Sequence, residues 1–438
     1  MAAVLASKGH QVVGVDVSQG AVDMLNAGRA PVDEPGLQSL IEQNHARLRA
    51  TTDYSDAISN SEISFIVVPT PSEADGSFSL RHVLAAVTSI GEVLRRTPGN
   101  GHLLVLTATV SPGSTGGPVR DALERSAGRR VGEDLGLCYS PEFIALGSVI
   151  HDILHPDMIL IGEADERSGS RLEELSQGVV DAKAPVVRMN LVNAELAKLA
   201  VNTFVTTKIS YANMLAQICE QIPGADAVAV TRAIGHDSRI GHKYLNPATP
   251  YGGPCFPRDN AAMAAAARAA GARADLAEAT DTINRRGLER LARSVLGKVS
   301  AAGRVGILGL SYKAGSVVTD ASPGVAVARH LVDQGHRPVV HDPLAMDNAT
   351  RELGDAVDYA ASIEECLKEA EVAVITVGWP QFAQISPQAL RNTRVVIDCW
   401  RLFEPSDLPG VEIIHPGLGP SKVEPATLTV PVAEEDRA

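Results

Sequence analysis

Residues 11–16 read Gln11-Val12-Val13-Gly14-Val15-Asp16, a short β-branched run that ends in an acid. Similar apolar runs occur at Ile63-Ser64-Phe65-Ile66-Val67-Val68 and at Leu103-Leu104-Val105-Leu106, with helical patterns between them. Continuous runs of this kind are typical of strands that are buried on both faces of a parallel sheet. The pattern therefore predicts an α/β domain with a doubly wound, Rossmann-like parallel sheet over residues 1–185.

Polar residues follow these strand ends, and ligands bind at strand ends in doubly wound sheets. Asp16 stands where a dinucleotide fold has the acid that holds ribose hydroxyls, although a solvated aspartate at a strand end would look the same. The loops Pro69-Thr70-Pro71 and Thr109–Thr115 carry hydroxyls that suit ribose or phosphate, and turn chemistry alone would also explain either loop. Together these positions predict a dinucleotide site.

The start of the sequence lacks the turn Gly-x-Gly-x-x-Gly, whose amides cradle a pyrophosphate. Residues Met1 to His10 already have the pattern of the helix that follows such a turn. We therefore expect the first strand and this turn to lie before residue 1, because of a misassigned start codon or a truncated gene. An in-frame Gly-x-Gly-x-x-Gly in the upstream coding DNA would support this expectation, and a stop codon immediately before Met1 would contradict it.

Composition narrows the class of protein. A chain of 438 residues is too long for one ordinary core, so two or three domains are expected. The net charge of -13 argues against sequence-independent nucleic-acid binding. The five cysteines are scattered without a Cys-x-x-Cys pair, which predicts neither disulfides nor a metal site and fits a reducing cytoplasm. No signal peptide or membrane-length apolar run is present.

Long helical patterns replace the strands over residues 186–298. The first runs from Asn190 to Gln221 and contains the polar residues Lys198 and Asn202. Because these two residues are four apart, they lie on one face of the helix and can address one ligand, although a solvated polar face explains them equally well. We expect this central helical domain to form a subunit interface in a homodimer or a larger homo-oligomer.

A second alternation of strands and helices occupies residues 299–418 and predicts another Rossmann-like domain. It begins with Arg304-Val305-Gly306-Ile307-Leu308-Gly309-Leu310-Ser311-Tyr312-Lys313, whose Gly-x-x-Gly is shorter than the dinucleotide fingerprint. Lys313 and Arg401 follow predicted strands and offer cations to a phosphate, or they are solvated loop cations. Residues 419–438 are rich in Pro and Glu without periodicity, so they are expected to form a disordered tail.

A cysteine stands within the run Tyr251-Gly252-Gly253-Pro254-Cys255-Phe256-Pro257-Arg258-Asp259. Regular structure is not expected through Gly-Gly-Pro and Phe-Pro, and a helix is predicted from Arg258 onward. A thiol just before a helix start lies at the positive end of the helix dipole, which favours the nucleophilic thiolate. The alternative is a buried structural cysteine in a tight turn.

The ordered motifs resemble the UDP-glucose/GDP-mannose dehydrogenase family of nucleotide-sugar 6-dehydrogenases. They cover the chain to about residue 418 and are, in order, Val15-Asp16, Val68-Pro69-Thr70-Pro71, Ser111-Pro112-Gly113-Ser114-Thr115, Ser140-Pro141-Glu142-Phe143, Asn193-Ala194-Glu195-Leu196-Ala197-Lys198-Leu199, Asn202, Arg239-Ile240-Gly241, Gly252-Gly253-Pro254-Cys255-Phe256-Pro257 and Gly309-Leu310-Ser311-Tyr312-Lys313. The resemblance implies a four-electron, NAD-dependent oxidation of the sugar's sixth carbon to a carboxylate, through a cysteine thiohemiacetal and thioester.

The resemblance also implies roles for individual residues. Cys255 would be the nucleophile, and Lys198 and Asn202 would stabilise the developing oxyanion. Asp259 would act in proton transfer or position water, and Glu142 would assist the hydrolytic water. The cofactor contacts implied are Asp16, Pro69, Thr70 and Thr115, and the substrate contacts implied are Phe143, Arg239, Tyr251, Gly252, Lys313 and Arg401, with Arg239 supplied across a dimer.

The sequence also departs from the family pattern. Arg258 replaces the usual lysine, Leu146 replaces an acid, Val317–Pro323 lacks the usual arginine and glutamate, and Cys399-Trp400-Arg401 replaces a Gly-Arg pair. Because of these departures the sequence does not specify one sugar, and the candidate substrates are UDP-glucose, a UDP-N-acetylhexosamine and GDP-mannose. The alternative functions are a nucleotide-sugar-binding protein without NAD turnover and a simpler hydroxyacid dehydrogenase.

Overall fold

The computed structural model describes residues 1–99 and 101–420. The chain divides into two compact units. The first comprises Met1–Phe204 and Arg258–Glu278, and the second comprises Val205–Pro257 and the chain from Ala279 onward. The predicted tail at 419–438 lies outside the described residues apart from its first two positions. The predicted domain boundaries at 185 and 298 stay predictions.

The first unit contains the predicted parallel sheet in two pieces. Its strands are β1 Val12–Val15, β2 Leu48–Thr51, β3 Ile63–Ile66, β4 Leu103–Leu106, β5 Gly136–Tyr139, β6 Ile159–Glu163 and β7 Val186–Asn190. β1 and β2 form one sheet, and the other piece has the order β3-β4-β5-β6-β7. All pairs are parallel except β5 with β6.

The prediction that all these strands are buried on both faces holds for β4 but is wrong for β1 and β3. Every residue of β4 is buried, whereas β1 is half-exposed along its length and β3 alternates between half-buried and buried residues. The reason is pairing: within the described residues β1 pairs only with β2, and β3 pairs only with β4. Each of the two strands is therefore an edge strand of its sheet.

The helices of this unit that precede β7 pack against these sheets, and the longest of them shows why. The helices are α1 Ala2–Ser7, α2 Gln19–Asn26, α3 Leu37–Asn44, α4 Tyr54–Ile58, α5 Arg81–Arg96, α6 Arg120–Ala127, α7 Val149–Leu154 and α8 Glu166–Val179. In α5, Val83, Val87, Ile90 and Leu94 recur every three or four residues and are buried in the core formed with α6 and the sheet. Burial of each such side chain contributes roughly 1.5–3 kcal/mol.

The central region is helical, as the sequence predicts. Its helices are α9 Leu191–Cys219, α10 Ala227–Gly235, α11 Phe256–Ala269 and α12 Asp275–Leu296. The start of α11 is a correction, because the helix begins at Phe256 and not after Pro257. Pro257 occupies the first turn, where its missing N–H has no intrahelical partner to lose.

The second unit contains the predicted second doubly wound sheet, with the order β10-β9-β8-β11-β12-β13, and the pairs between these described strands are parallel. The strands are β8 Arg304–Leu308, β9 Val339–His341, β10 Asp358–Tyr359, β11 Ala370–Ile375, β12 Val395–Asp398 and β13 Glu412–Ile414, and the helices that follow α12 are α13 Pro323–Asp333, α14 Met346–Leu353 and α15 Ile363–Leu367. The Rossmann-like fold class is confirmed for both sheet regions.

Two features are absent from the described residues. Among residues 1–99 and 101–420, no helix combines the length and apolar composition needed to cross a bilayer. In the same residues, no three His, Cys, Asp or Glu side chains converge on a possible cation site.

Candidate active site

In the first unit, one face of α9 carries three polar side chains. Glu195, Lys198 and Asn202 are spaced by three and four residues, so they lie along one side of the helix. Lys198 is only 8% exposed, and its Nζ donates to the backbone oxygen of Glu142 at 2.6 Å and lies 4.5 Å from the centre of the Phe143 ring. A solvated face therefore does not describe Lys198, which the fold holds as a buried cation.

Asn202 connects α9 to α11. Its Nδ2 donates to Oδ2 of Asp259 at 2.6 Å, and Asp259 is 1% exposed. The second carboxylate oxygen of Asp259 is buried without a hydrogen-bond partner. Burial raises the pKa of Asp259, while the bond from Asn202 and the charges of Lys198 and Arg258 act in the opposite direction. The site thus holds a carboxyl group that keeps its proton more readily than a free aspartate.

Glu142 lies in the loop after β5, at the border of a cavity of about 120 Å³. Burial raises the pKa of its carboxyl group, and the positive charges of the Met1 amine and Lys198 oppose that shift. Because Lys198 bonds the main chain of the same residue, the structure brings a buried cation and a carboxyl of raised pKa together. This pairing suits proton transfer, because a carboxyl of raised pKa exchanges its proton nearer neutral pH.

The predicted cofactor residues follow strands β1, β3 and β4. Asp16 is exposed and accepts from the amide of Ser18 at 2.8 Å. The hydroxyl of buried Thr70 donates to the oxygen of Thr109 at 2.8 Å, which ties the loops after β3 and β4 together, while Pro69 beside it is exposed. Of these residues, Asp16 offers an exposed carboxylate at the end of β1, where a ribose binds in a dinucleotide fold, whereas the hydroxyl of Thr70 already donates within the protein.

Two residues that the sequence did not assign hold these loops. Glu195 is fully buried and accepts from the amides of Gly113 and Thr115. Arg258 donates to the oxygen of Thr70 at 3.4 Å, and its guanidinium lies 5.0 Å from the centre of the Phe78 ring. The change from the family lysine to Arg258 therefore provides a planar group that can stack on an aromatic ring. In the sequence Glu195 is only one residue of a family motif, because its partners are main-chain groups of a distant loop.

In the second unit, Cys255 is exposed and immediately precedes α11. Cys138, Cys219, Cys366 and Cys399 are all buried. Burial raises the pKa of Cys138 and of Cys366 to about 12. The alternative of a buried structural cysteine therefore describes the other four thiols and not Cys255.

The glycines before Cys255 are required by the protein's own packing. A Cβ at Gly252 would lie 2.2 Å from the backbone oxygen of Ala321, and a Cβ at Gly253 would lie 2.6 Å from the Tyr312 ring. Gly253 has φ +88 and donates its amide to the oxygen of Asp320 at 2.8 Å. The two glycines are thus explained by the close approach of the chain between β8 and α13.

Tyr251 fixes the other side of this loop to α12. Its amide donates to Oδ1 of Asn284 at 2.9 Å, its oxygen accepts from Nδ2 of Asn284 at 2.9 Å, and its hydroxyl donates to Asp281. The Tyr251 ring also meets the Phe256 ring edge-on, with 6.3 Å between ring centres. These contacts hold the backbone on which Cys255 is presented.

The three predicted substrate cations have different surroundings. Arg239 has a side chain that is 87% exposed and pairs with Asp237 at 2.6 Å. Lys313 is half-buried just after β8. Arg401 has φ +55 and donates to Oδ1 of Asp226, the residue that caps α10, at 3.0 Å. Arg401 is therefore held in place by an ion pair and is not a freely solvated loop cation.

Comparisons with known proteins match successive parts of the chain to one family. Three models of the UDP-glucose/GDP-mannose dehydrogenase family match it: the NAD binding domain at residues 1–180, the central domain at 192–286 and the UDP binding domain at 306–405. The UDP-glucose 6-dehydrogenase AglM of Haloferax volcanii is 38% identical over 408 residues, which are 92% of this chain and 94% of the relative. A GDP-mannose 6-dehydrogenase of Pseudomonas putida is 31% identical, covering 90% of this chain and 91% of the relative.

Solved structures extend this similarity to three dimensions. A UDP-glucose dehydrogenase from Pyrobaculum islandicum superposes with a TM-score of 0.87 at 34% identity, over 95% of this chain and 94% of that structure. The NAD binding domain and these relatives show that the chain is an NAD-dependent oxidoreductase. The chain belongs to the UDP-glucose/GDP-mannose dehydrogenase family.

Proposed function

We propose that this enzyme oxidises the sixth-carbon hydroxymethyl group of a nucleotide sugar to a carboxylate, with Cys255 as the covalent nucleophile. The observation that carries the proposal is the exposed Cys255 thiol at the start of α11, in a loop fixed by its neighbours. UDP-glucose is the proposed substrate, because relatives that cover most of this chain are UDP-glucose 6-dehydrogenases. A UDP-N-acetylhexosamine and GDP-mannose are the alternatives.

The chemistry explains why a thiol is needed. NAD+ held by Asp16, Pro69, Thr70 and Thr115 would supply a hydride acceptor for each of the two oxidations of carbon six, and a base takes the hydroxyl proton in each oxidation. The Cys255 thiolate adds to the resulting aldehyde carbon and gives a thiohemiacetal, which keeps the aldehyde from leaving. The second oxidation leaves a thioester on the Cys255 sulfur, and water then cleaves the carbon–sulfur bond to release the carboxylate and restore the thiol.

The polar residues of α9 and α11 supply the charge stabilisation and proton transfers in this proposal. Lys198 and Asn202 donate to the oxygen that gains negative charge during thiolate and water addition. Asp259 takes or gives the proton, a role supported by its raised pKa and by its buried oxygen, which has no hydrogen-bond partner. Glu142, whose pKa burial also raises, accepts a proton from the hydrolytic water.

The remaining predicted residues bind the two nucleotides. We assign the NAD ribose and loop contacts to Asp16, Pro69, Thr70 and Thr115, and the nucleotide-sugar contacts to Phe143, Arg239, Tyr251, Gly252, Lys313 and Arg401. Cations suit the diphosphate that joins sugar to nucleoside. The thiol mechanism also requires a reducing compartment, for which we propose the cytoplasm.

We further propose that the enzyme is at least a homodimer through α9. Phe204, Tyr211 and Ile218 recur every seven residues along this helix, and all three are exposed large hydrophobic side chains. An apolar stripe with this period is typical of a helix that packs against another helix. The exposed guanidinium of Arg239 then reaches a second subunit in the proposed assembly.

The decisive experiment counts NADH. The purified chain is incubated with NAD+ and, separately, UDP-glucose, UDP-N-acetylmannosamine and GDP-mannose, and NADH and uronate are measured against sugar consumed. We expect two NADH per sugar with UDP-glucose, and a Cys255→Ser variant that forms no uronate. One NADH per sugar would indicate aldehyde release, and unchanged uronate from Cys255→Ser would refute the thioester. No NADH with any of the sugars would favour the binding protein.

A further inference from the structure

We propose that Glu195 is a positioning residue for NAD binding: its carboxylate holds the loop after β4 in the conformation that receives the cofactor. The inference extends the proposed function, because the family resemblance places Thr115 of this loop in contact with NAD and assigns Glu195 no role. Glu195 itself touches neither substrate nor cofactor in this proposal. It acts through the backbone of Gly113 and Thr115.

The contacts define a two-point clamp. Oε2 of Glu195 accepts the amide of Gly113 at 2.5 Å, and Oε1 accepts the amide of Thr115 at 2.7 Å. Both Glu195 and Thr115 are fully buried. A buried carboxylate is costly unless its oxygens accept hydrogen bonds, and charged acceptors make stronger bonds to amides than neutral ones do. The arrangement therefore fixes the spacing and the direction of two loop amides.

The backbone of the loop shows that it needs such a clamp. Gly113 has φ +91, a conformation that side-chain-bearing residues rarely adopt, yet a Cβ there would meet nothing within 4 Å. The glycine is thus required by backbone geometry and not by crowding. Immediately beyond, Thr115–Val119 forms a π-helical turn in which Gly117 departs from helical angles. Because the glycines at 113 and 117 leave this stretch of backbone conformationally free, bonds from a fixed side chain decide which conformation it adopts.

The position of Glu195 on α9 links the clamp to the proposed catalytic face. Lys198 lies three residues further and Asn202 seven residues further along the same side of the helix. The start of α9 is itself fixed against the sheet, because Ala194 packs so closely on β6 that a Cβ at Gly162 would lie 2.7 Å from its own. One rigid helix therefore sets both the cofactor loop and the Lys198 ammonium group, as a preorganised site requires.

Three substitutions separate this role from general stability. Glu195→Gln keeps the size but leaves one acceptor oxygen, and its amide group faces the second loop amide as a donor. Glu195→Asp keeps the charge on a side chain one methylene shorter. Gly113→Ala strains the same turn without touching Glu195. The matched control is Glu163→Gln, a part-buried carboxylate of the same unit that pairs with Arg188 on β7.

The test is NAD affinity by titration calorimetry, beside UDP affinity and amide hydrogen exchange in the ligand-free protein. We expect Glu195→Gln to weaken NAD binding at least about tenfold, Glu195→Asp to weaken it less, and UDP affinity to stay within about twofold. Exchange of the Gly113 and Thr115 amides should accelerate in Glu195→Gln, while Glu163→Gln leaves both NAD affinity and these amides unchanged.

Other outcomes overturn the proposal. NAD affinity within twofold of wild type in Glu195→Gln, or equal losses of NAD and UDP affinity, would show that Glu195 serves stability alone. If Glu195→Gln does not fold, Gly113→Ala must weaken NAD and spare UDP, or the proposal fails. These measurements do not require turnover, so a wild-type chain that binds NAD but oxidises no sugar would refute the proposed function and leave the role of Glu195 standing. A wild-type chain that binds no NAD would overturn the role of Glu195.

Discussion

The Nδ2 atom of Asn202 donates a 2.6 Å hydrogen bond to Oδ2 of Asp259, which is buried at the start of α11. Burial raises the pKa of Asp259 more than this bond and the nearby cations lower it. The native state therefore binds this proton more tightly than the unfolded chain does. The stabilisation that results is complete below the ordinary aspartate pKa and is lost as the pH rises through the raised value.

Asp259→Asn should accordingly separate stability from activity. The amide keeps an oxygen for Asn202 and removes a buried charge, so we expect a Tm at pH 7 equal to or above that of wild type. The variant has no proton to exchange, so kcat should fall by about 100-fold or more. Thermal melts from pH 4 to 8 and steady-state rates measure both quantities.

An aspartate with the opposite shift provides the control for this prediction. Asp56 is exposed and pairs with Arg49, and that hydrogen bond lowers its pKa, so any stability it contributes is lost as the pH falls. Asp56→Asn should leave kcat unchanged and reduce the acid dependence of Tm. A clear fall in the Tm of Asp259→Asn at pH 7 would show instead that the charged form of Asp259 is what stabilises the fold.

Thiol counting tests the special position of Cys255. We expect one fast-reacting thiol per native chain with a disulfide reagent, since Cys255 is exposed and the other four cysteines are buried. All five should react in denaturant, and native Cys255→Ser should have none. A fast thiol that persists in Cys255→Ser would place the accessible nucleophile elsewhere.

Strand patterns were predictable from sequence, but their pairing was only partly so. The runs at 103–106 and 304–308 contain consecutive apolar residues, and both are buried strands, as expected. The strands β2, β5, β6, β7, β10 and β13 were not predicted. Of these, β10 and β13 have only two and three residues, too few to carry a measurable periodicity. The antiparallel pairing of β5 with β6 was also missed, because strand direction depends on how the connecting chain crosses the sheet.

The residues of the candidate site were also only partly predictable from the sequence. Lys198 and Asn202 could be placed on one face from their spacing alone, since helical geometry is local. The hydrogen bonds of Glu195 could not be predicted in this way, because its partners are amides some 80 residues away in the chain. The role of Tyr312 beside Gly253 was equally hidden, because two distant segments meet only in the folded chain. Sequence indicates chemistry best where neighbouring residues act together.

Gly253→Ala tests whether Tyr312 shapes the thiol loop. The new Cβ would lie 2.6 Å from the Tyr312 ring at φ +88, so overpacking should cost about 1–3 kcal/mol in addition to backbone strain of about 1–2 kcal/mol. Gly224→Ala is the control, because Gly224 has φ +77 and a Cβ there would meet nothing within 4 Å. This variant should therefore show only the cost of backbone strain. Urea denaturation measures the free energy of unfolding.

A second substitution isolates the steric term of Gly253→Ala. Truncation of the ring in Gly253→Ala/Tyr312→Ala should recover part of the loss, which gives a non-additive cycle. Additive effects would mean that Tyr312 does not limit residue 253.

Asp226 joins a helix cap to an ion pair, and the two contributions can be separated. Its Oδ1 accepts from the amide of Val228 at 2.9 Å at the start of α10 and from Nη2 of Arg401 at 3.0 Å. Asp226→Ala removes both bonds, whereas Asp226→Asn keeps a capping oxygen, because Asn and Asp cap helices about equally well. We expect Asp226→Ala to lower the free energy of unfolding by about 1–2 kcal/mol and Asp226→Asn to lower it by clearly less, since partly exposed ion pairs contribute about 0–1 kcal/mol.

Urea denaturation at low and high salt distinguishes the contribution of the cap from that of the ion pair, because salt screens the ion pair and spares the cap. Equal losses in the two variants, both abolished by salt, would show that the ion pair with Arg401 and not the cap provides the stability.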